Sequence, residues 1–235
     1  AGSSFNEIIV YSNKTSEELL HHSDYTFNGE KRIGKPSFLG GFLELVYDEN
    51  KGIVNIYNND LSIKNTFNVA IRSNRNIRTL SNIAKLYEDI EGNIYVDNTA
   101  ESKIDVYNRE GNKLRQINKL GKEFTVLPDG RIYFIDFNHE EKNLINAKLI
   151  LTENNGEKIY EKNLENIRYW PWENKLGINI NADGSVDYIN NPYGEIINHR
   201  LDLEIETPAQ PPQSEIVVEN KWKKFKITTS SSIGG

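Results

Sequence analysis

The residues of this chain that are best suited to contact a ligand form one aromatic cluster, Tyr169-Trp170-Pro171-Trp172, which contains two of the three Trp. Aromatic faces stack on sugars and bases and are frequent hot spots of protein interfaces. The same pattern also suits an inner strand whose bulky side chains pack between neighbouring sheets, and both interpretations stay open. We predict Tyr169, Trp170 and Trp172 as ligand-binding residues.

Residue types that could support catalysis or metal binding are sparse. The chain contains no Cys, which excludes thiol catalysis, Cys metal sites and disulfides. Of the four His, His21 and His22 are adjacent on a predicted strand, where neighbouring side chains point to opposite faces, so the two would not chelate one ion. His139 lies in a polar loop beside two Glu, which we interpret as a solvated loop. The sequence therefore supplies no assembled catalytic set, and we predict no metal site.

Charge and hydropathy limit the classes of partner. The formal net charge is −6 with both signs interspersed, so no basic footprint for nucleic acid is present. The one basic cluster, residues 221–226, alternates with apolar residues and is typical of a strand with one solvent-facing side. No apolar run approaches the roughly 18 residues of a membrane span. We predict no nucleic-acid partner and no membrane span.

Short β-strands in a repeat are the elements that would position these residues. The stretch 91–117 holds two strand-like runs, 93–96 and 103–107, then a Glu110-Gly111 turn and a third run, 113–117. Variants of the middle run recur at roughly 40–50-residue intervals, the period of a four-stranded propeller blade. The other copies lie at 8–13, 53–58, 148–152 and 186–190.

Turn residues separate these strands and predict where each hairpin lies. Asp129-Gly130 is the strongest signal and predicts a type I′ hairpin, in which both central residues have positive φ. Similar turns are predicted at Asn59-Asp60, Glu110-Gly111 and Asn155-Gly156. The inner strands of successive blades are then predicted at 40–46, 83–90, 123–127 and 167–172.

Counting the strands predicts a closed ring. The N-terminal part supplies two strands, four fuller blades follow over 30–205, and two C-terminal strands are expected at 215–219 and 222–228. The terminal strands would share one blade, since closure leaves only short sheet edges exposed. We predict an all-β propeller of four-stranded antiparallel blades, five in number, with six as the alternative. The propeller domain spans 5–229, and 1–4 and 230–235 are expected to be a tag or tail.

Three segments resemble repeats of the NHL/SMP-30-like propeller superfamily: 91–97, 104–111 and 128–134. The resemblance implies blades around a central channel, with ligands or partners bound at one face. By analogy with five-bladed propellers that host glycosidases, Asp97, Asp136 and Asp187 are the candidate catalytic carboxylates. The Asn- and Asp-rich turns leave one cofactor open, a Ca²⁺ ion in the central channel held by oxygen ligands. No other cofactor is predicted.

These observations favour a non-enzymatic binding module of an exported bacterial protein, which recognises a protein or glycan partner at one face. The alternative is a carbohydrate-active hydrolase or lyase with carboxylates at the central channel. A structural spacer within a larger surface protein is a third hypothesis. Export is expected from the absence of Cys and of a start Met together with the polar, β-rich composition.

Overall fold

The computed structural model describes nineteen β-strands and no α-helix, in parts of the chain that together make five antiparallel sheets. The described backbone comprises residues 2–12, 18–23, 31–48, 51–71, 85–98, 101–138, 143–170, 175–190, 196–199 and 216–226. Side chains are described for 32–48, 51–71, 85–98, 101–138, 143–170 and 176–190.

The chain enters the sheets nearly in sequence order, and we number the sheets accordingly. Sheet 1 contains β1 (Gly2–Ser12), β2 (Glu18–Ser23) and β19 (Ile216–Lys226). Sheet 2 contains β3 (Lys31–Pro36), β4 (Phe42–Tyr47), β5 (Gly52–Tyr57) and β6 (Ile63–Val69). Sheet 3 contains β7 (Leu86–Glu88), β8 (Ile94–Asn98), β9 (Lys103–Tyr107) and β10 (Lys113–Asn118). Sheet 4 contains β11 (Glu123–Val126), β12 (Ile132–Phe137), β13 (Leu144–Thr152), β14 (Lys158–Trp170) and β15 (Lys175–Leu176). Sheet 5 contains β16 (Ile178–Ile180), β17 (Val186–Ile189) and β18 (Ile196–His199).

The sheets pack side by side, with their first strands as neighbours. Strand β3 lies against β7, and β7 lies against β11. One apolar core fills the space between sheets 2 and 3, a second lies between sheets 3 and 4, and a third between sheets 4 and 5. Meanders of consecutive strands packed in this way form a β-propeller, so the predicted all-β propeller fold is confirmed. The number of blades stays a prediction.

Sheet 1 joins the two ends of the described chain. Strand β1 pairs with β19 along its whole length, from Gly2 opposite Lys226 to Ser12 opposite Ile216. The predicted sharing of one sheet by N- and C-terminal strands is confirmed. The prediction of two separate C-terminal strands is wrong, because one strand runs through the expected break near 220–221. No Gly or Pro interrupts this segment, so nothing in its backbone forces a turn.

One turn design recurs seven times in the described chain. In the turn 89–93, Asp89 N–H donates to the Asn93 carbonyl at 3.1 Å, and Gly92 N–H donates to the Asp89 carbonyl at 3.0 Å. This pair of bonds defines a type I turn followed by a bulge residue in the left-handed region. The same bonds occur in the turns 37–41, 58–62, 108–112, 127–131, 153–157 and 181–185.

The fourth residue of each turn has positive φ, and in six of the seven it is Gly. The exception is Leu61, with φ 67°. The predicted type I′ hairpin at Asp129-Gly130 is wrong, because only Gly130 has positive φ and the loop is one residue longer than that turn allows. The position of this hairpin was nevertheless predicted correctly, because both turn types need a residue with positive φ, which Gly adopts readily.

Two of the four predicted inner strands are misplaced. The segment 40–46 forms most of β4, the second strand of sheet 2, whose first strand is β3. The first part of the segment 167–172 belongs to the last part of β14 and does not start a new sheet. Strand β14 runs unbroken from Lys158 to Trp170 and pairs with β15 only at its last two residues. This strand contains a bulge opposite Ile145 and Ala147, where Asn166 has φ 56°.

Strands of alternating direction give the propeller two different ends. The seven repeated turns lie at one end, which we call the turn end. The opposite end, which we call the connection end, carries the links between second and third strands and the links between sheets. Among the described residues, the connection end includes Asp48, Lys51, Lys85, Ser102, Asn138, Asn143 and the segment 119–122.

Candidate functional site

Two of the predicted aromatic residues, Tyr169 and Trp170, lie at the end of β14, at the connection end. Tyr169 is 3 % exposed and belongs to the core between sheets 4 and 5, where its ring centroid is 6.1 Å from that of Phe137. Trp170 is half-buried, and the guanidinium of Arg168 lies 5.7 Å from its ring centroid. Trp172 lies outside the described residues. Tyr169 therefore occupies a core position, and the ligand-binding role of the three residues stays a prediction.

The structure does not place the three candidate carboxylates in comparable surroundings. Asp97 on β8 is 2 % exposed, Asp136 on β12 is exposed, and Asp187 on β17 is half-buried. The Asn181 side-chain amide donates to Asp187 at 2.9 Å. His139 falls outside the described residues, and only the backbone is described for His21, His22 and His199.

A group of lysines surrounds Phe124 where the first strands of sheets 2, 3 and 4 meet. The Nζ atoms of Lys85 and Lys119 lie 5.4 and 5.5 Å from the Phe124 ring centroid. The Tyr87 hydroxyl donates to the Phe124 carbonyl at 3.0 Å, and Lys35 Nζ lies 5.5 Å from the Tyr87 ring centroid. We call Lys35, Lys85 and Lys119 the lysine cluster; Lys35 lies on β3 of sheet 2, whereas Lys85 precedes β7 and Lys119 follows β10, both in sheet 3.

Two carboxylates balance part of this positive charge. Lys119 Nζ donates to both oxygens of buried Asp97, at 3.1 and 3.2 Å, and Lys85 forms an ion pair with Glu123. Burial raises the pKa of Asp97, although the charge of Lys119 opposes this. Burial would lower the pKa of Lys85, but the charges of Tyr87, when ionised, and of Glu123 outweigh it, so that pKa is raised. Lys85 therefore stays protonated.

Strand alternation explains how β7 contributes to two interfaces. Leu86 points into the core between sheets 2 and 3, whereas Tyr87 packs against the core between sheets 3 and 4. Lys85 shares the second face and therefore reaches Glu123. Sequence reasoning missed the lysine cluster because Lys at the start of a short strand is usually solvated. The one sequence signal was the spacing of Lys85 and Tyr87, which places both residues on the same face of a strand.

A polar groove of about 290 Å³ lies on sheet 4 at the connection end. Its floor is apolar and consists of the buried residues Phe137, Ala147 and Leu164. Its rim carries side-chain amides, two carboxylates and one ammonium group. These rim residues are Asp136, Asn138, Asn146, Lys148, Asn163 and Glu165.

The bulge between β13 and β14 shapes this groove. The Asn166 N–H donates to Asn146 Oδ1 at 3.2 Å, which stabilises the left-handed backbone at Asn166. The segment 119–122 also packs against this part of sheet 4, because a Cβ added at Gly121 would lie only 2.7 Å from the Ile135 carbonyl. The backbones are thus in close contact, and Lys122 Nζ lies 5.1 Å from the Phe137 ring. The segment 119–122 therefore links the lysine cluster to the groove.

Other buried carboxylates are fully engaged. Glu44 on β4 is inaccessible to solvent and accepts hydrogen bonds from Arg32 at 2.8 Å, Asn55 at 2.9 Å and Tyr57 at 3.0 Å. At the turn end, Glu88 pairs with Arg109 and accepts the Phe38 N–H at 2.9 Å. Both carboxylates connect strands, so we assign them to the stability of the fold.

Two further features are absent from the described residues. No group of three or more His, Cys, Asp or Glu is arranged to hold a metal ion in that part of the chain. Nor does any helix there have the length and apolar character needed to cross a membrane.

Comparisons with known proteins return only distant structural likenesses. No family model matches, and no curated protein matches. A protein of unknown function from Bacteroides caccae is 12 % identical over 79 % of this chain and 67 % of its own, with a TM-score of 0.46. A streptogramin B lyase is 14 % identical over 95 % and 76 %, with a TM-score of 0.44. Virginiamycin B lyase from Staphylococcus aureus is 14 % identical over 97 % and 76 %, with a TM-score of 0.38. Likenesses of this size carry no argument about function.

Proposed function

We propose that the chain is a non-enzymatic binding module that holds a saccharide unit of a glycan partner in the polar groove of sheet 4. The observation that carries the proposal is the combination of an apolar floor with a mixed polar rim. The floor offers contact for the C–H face of a sugar ring, and the rim offers donors and acceptors to its hydroxyls. The volume of about 290 Å³ is close to the lower limit of small-ligand sites.

The state of the carboxylates favours binding over catalysis. Each of three carboxylates on or next to the first strands is paired with one cation. The pairs are Asp97 with Lys119, Glu123 with Lys85, and Glu88 with Arg109. Asp136 and Glu165 both line the groove, which supports a hydrolase as the second candidate function. Both are exposed, however, whereas a general acid requires surroundings that raise its pKa above that of its partner. We therefore favour recognition without turnover.

The place of this module in a cell follows from the sequence predictions. We propose that it belongs to an exported bacterial protein and that its repeats are of the NHL/SMP-30-like type. The glycan is our preferred partner because a groove this small suits one sugar unit better than a protein surface, which buries far larger areas.

A titration of immobilised glycans tests the proposal. The wild-type chain should bind at least one neutral oligosaccharide, and Asn163→Ala should weaken that binding about tenfold because it removes rim hydrogen bonds. Asn68→Ala on the exposed face of β6 is the matched control and should bind like the wild type. Chromatography of the incubated oligosaccharide should show no cleavage; cleavage abolished by Asp136→Asn would support the hydrolase instead.

Two other outcomes would contradict the glycan proposal. If no oligosaccharide binds and a protein partner is captured whose binding Asn163→Ala removes, the groove serves a protein interface. If Asn163→Ala and Asn68→Ala lower glycan binding equally, the ligand lies elsewhere. Trp170→Ala tests the predicted aromatic site in the same titration, since loss of binding at unchanged stability would place the sugar against that ring.

A further inference from the structure

We infer that the lysine cluster is an oxyanion-binding site, separate from the groove, in which Lys35 and Lys85 hold one carboxylate, phosphate or sulfate group. The inference goes beyond the proposed saccharide site and does not depend on it. It rests on how charges are distributed where the first strands of sheets 2, 3 and 4 meet.

The cluster has more positive than negative groups. Its three ammonium groups face two carboxylates, and Lys119 and Lys85 use these two, Asp97 and Glu123. Lys35 has no carboxylate partner among the described residues; its one described contact is the Tyr87 ring. Glu88, the next residue on β7, is committed to Arg109. Among the side chains that the structure describes, one positive charge of the cluster is therefore left over.

The excess charge is accessible to a ligand. The Lys35 side chain is exposed, and the Lys85 side chain is 25 % exposed, so both can be reached from solvent. Asp97, in contrast, is 2 % exposed and both its oxygens are bound to Lys119. An incoming anion would therefore meet Lys35 and Lys85 and not the buried ion pair.

The surroundings of Lys35 make its charge unfavourable without an anion. Although its side chain is exposed, nearby protein partly desolvates the ammonium group, and this burial together with the positive charge of Lys85 lowers the pKa of Lys35. A bound oxyanion would relieve both effects, since an opposite charge favours the ammonium form. The Tyr87 ring beneath Lys35 holds the side chain in place through a cation–π contact.

The size of the excess charge defines the ligand chemistry. One surplus ammonium group, with a second lysine beside it, matches a single oxyanion better than a polyanion such as nucleic acid, which needs several phosphate contacts. Carboxylate, phosphate and sulfate esters share this chemistry. The probes below distinguish between them.

Nuclear magnetic resonance of the full chain, with its lysines reductively methylated with ¹³C, tests this inference. Glucuronate, inorganic phosphate and sulfate are titrated at constant ionic strength, with glucose as the neutral control. We expect at least one oxyanion to shift the Lys35 signal, identified by its absence in Lys35→Gln, and to raise the pKa of Lys35. Lys35→Gln should weaken the binding of that oxyanion about tenfold.

Lys64→Gln, at an exposed position on β6, is the matched control and should leave the affinity unchanged. The inference is wrong if no oxyanion shifts the Lys35 signal, or if Lys64→Gln weakens binding as much as Lys35→Gln. Asn163→Ala should leave the oxyanion response intact, so failure of the saccharide groove and failure of the oxyanion site give different results. A response to glucuronate alone would identify a carboxylate, and a response to phosphate or sulfate alone would identify an ester.

Discussion

The two ends of the propeller are built in opposite ways. At the turn end, seven five-residue turns repeat the same two backbone hydrogen bonds, and the key partners are close in sequence. Outside these turns, the lysine cluster joins Lys35 on sheet 2 to Lys85 and Lys119 at the connection end of sheet 3, and the groove combines residues from three strands of sheet 4. The turn end maintains the fold, whereas the connection end varies along the chain and presents chemical groups.

This difference indicates where function can change without loss of the fold. A turn that satisfies its own backbone groups tolerates few substitutions, because its φ values are restricted. Exposed side chains at the connection end can be replaced at low cost in stability. The predictions below test this contrast, starting with the largest expected effect.

Gly41→Ala should be the most damaging change, because a Cβ there would lie 1.9 Å from the Tyr57 carbonyl oxygen, in a backbone with φ 72°. We expect the free energy of unfolding to fall by about 4 kcal/mol. Gly40→Ala is the matched control, since its φ is also positive but its nearest atom is the Asn59 amide at 3.2 Å. It should cost only about 1–2 kcal/mol. Equal losses in urea unfolding would contradict the proposed steric cause.

Lys119→Met should lower the free energy of unfolding by about 3 kcal/mol at pH 7, since it leaves the buried Asp97 carboxylate without its cation. The folded-state pKa of Asp97 is already raised, so protonation of this carboxyl stabilises the folded protein at pH values below its unfolded-state pKa. That stabilisation is lost as the pH rises through the folded-state pKa. The variant should raise that pKa further. Its deficit relative to wild type should therefore shrink at pH 4.5, and a deficit that grows on acidification would contradict this.

Leu61→Gly should stabilise the chain by about 0.5–1 kcal/mol, because Leu61 has φ 67° at the position where the six other turns carry Gly. The reverse change, Gly111→Leu, should destabilise it, since a Cβ there would lie 2.6 Å from Phe67. Thermal unfolding of both variants provides the measurement. A destabilising Leu61→Gly would show that the contacts of the Leu61 side chain outweigh its backbone strain.

Asn163→Ala and Lys35→Gln should change the free energy of unfolding by less than about 0.5 kcal/mol each, because both side chains are exposed and neither residue belongs to a repeated turn. Urea unfolding without ligand measures this directly. A loss near that of Gly41→Ala at either position would remove the contrast between the repeated turns and the exposed ligand-facing positions. A small loss together with altered binding would sharpen it.

Much of the fold could be predicted from local patterns. Strand alternation and Gly-containing turns located β5, β9 and β10 and the hairpin at 127–131, because these features depend on neighbouring residues. The inner-strand assignments at 40–46 and 167–172 failed for a different reason. Strand order within a sheet depends on pairing with distant segments, and no local pattern distinguishes a first strand from a second or a last.

The candidate sites show the same division. The sequence identifies Tyr169 and Trp170 as large aromatics, but only packing against Phe137 shows that Tyr169 belongs to a core. Lys35, Lys85 and Lys119 are unremarkable lysines in the sequence. Their charges act on one another only after sheets 2, 3 and 4 pack together, because electrostatic coupling depends on distance in space and on burial, and neither is encoded in local sequence spacing.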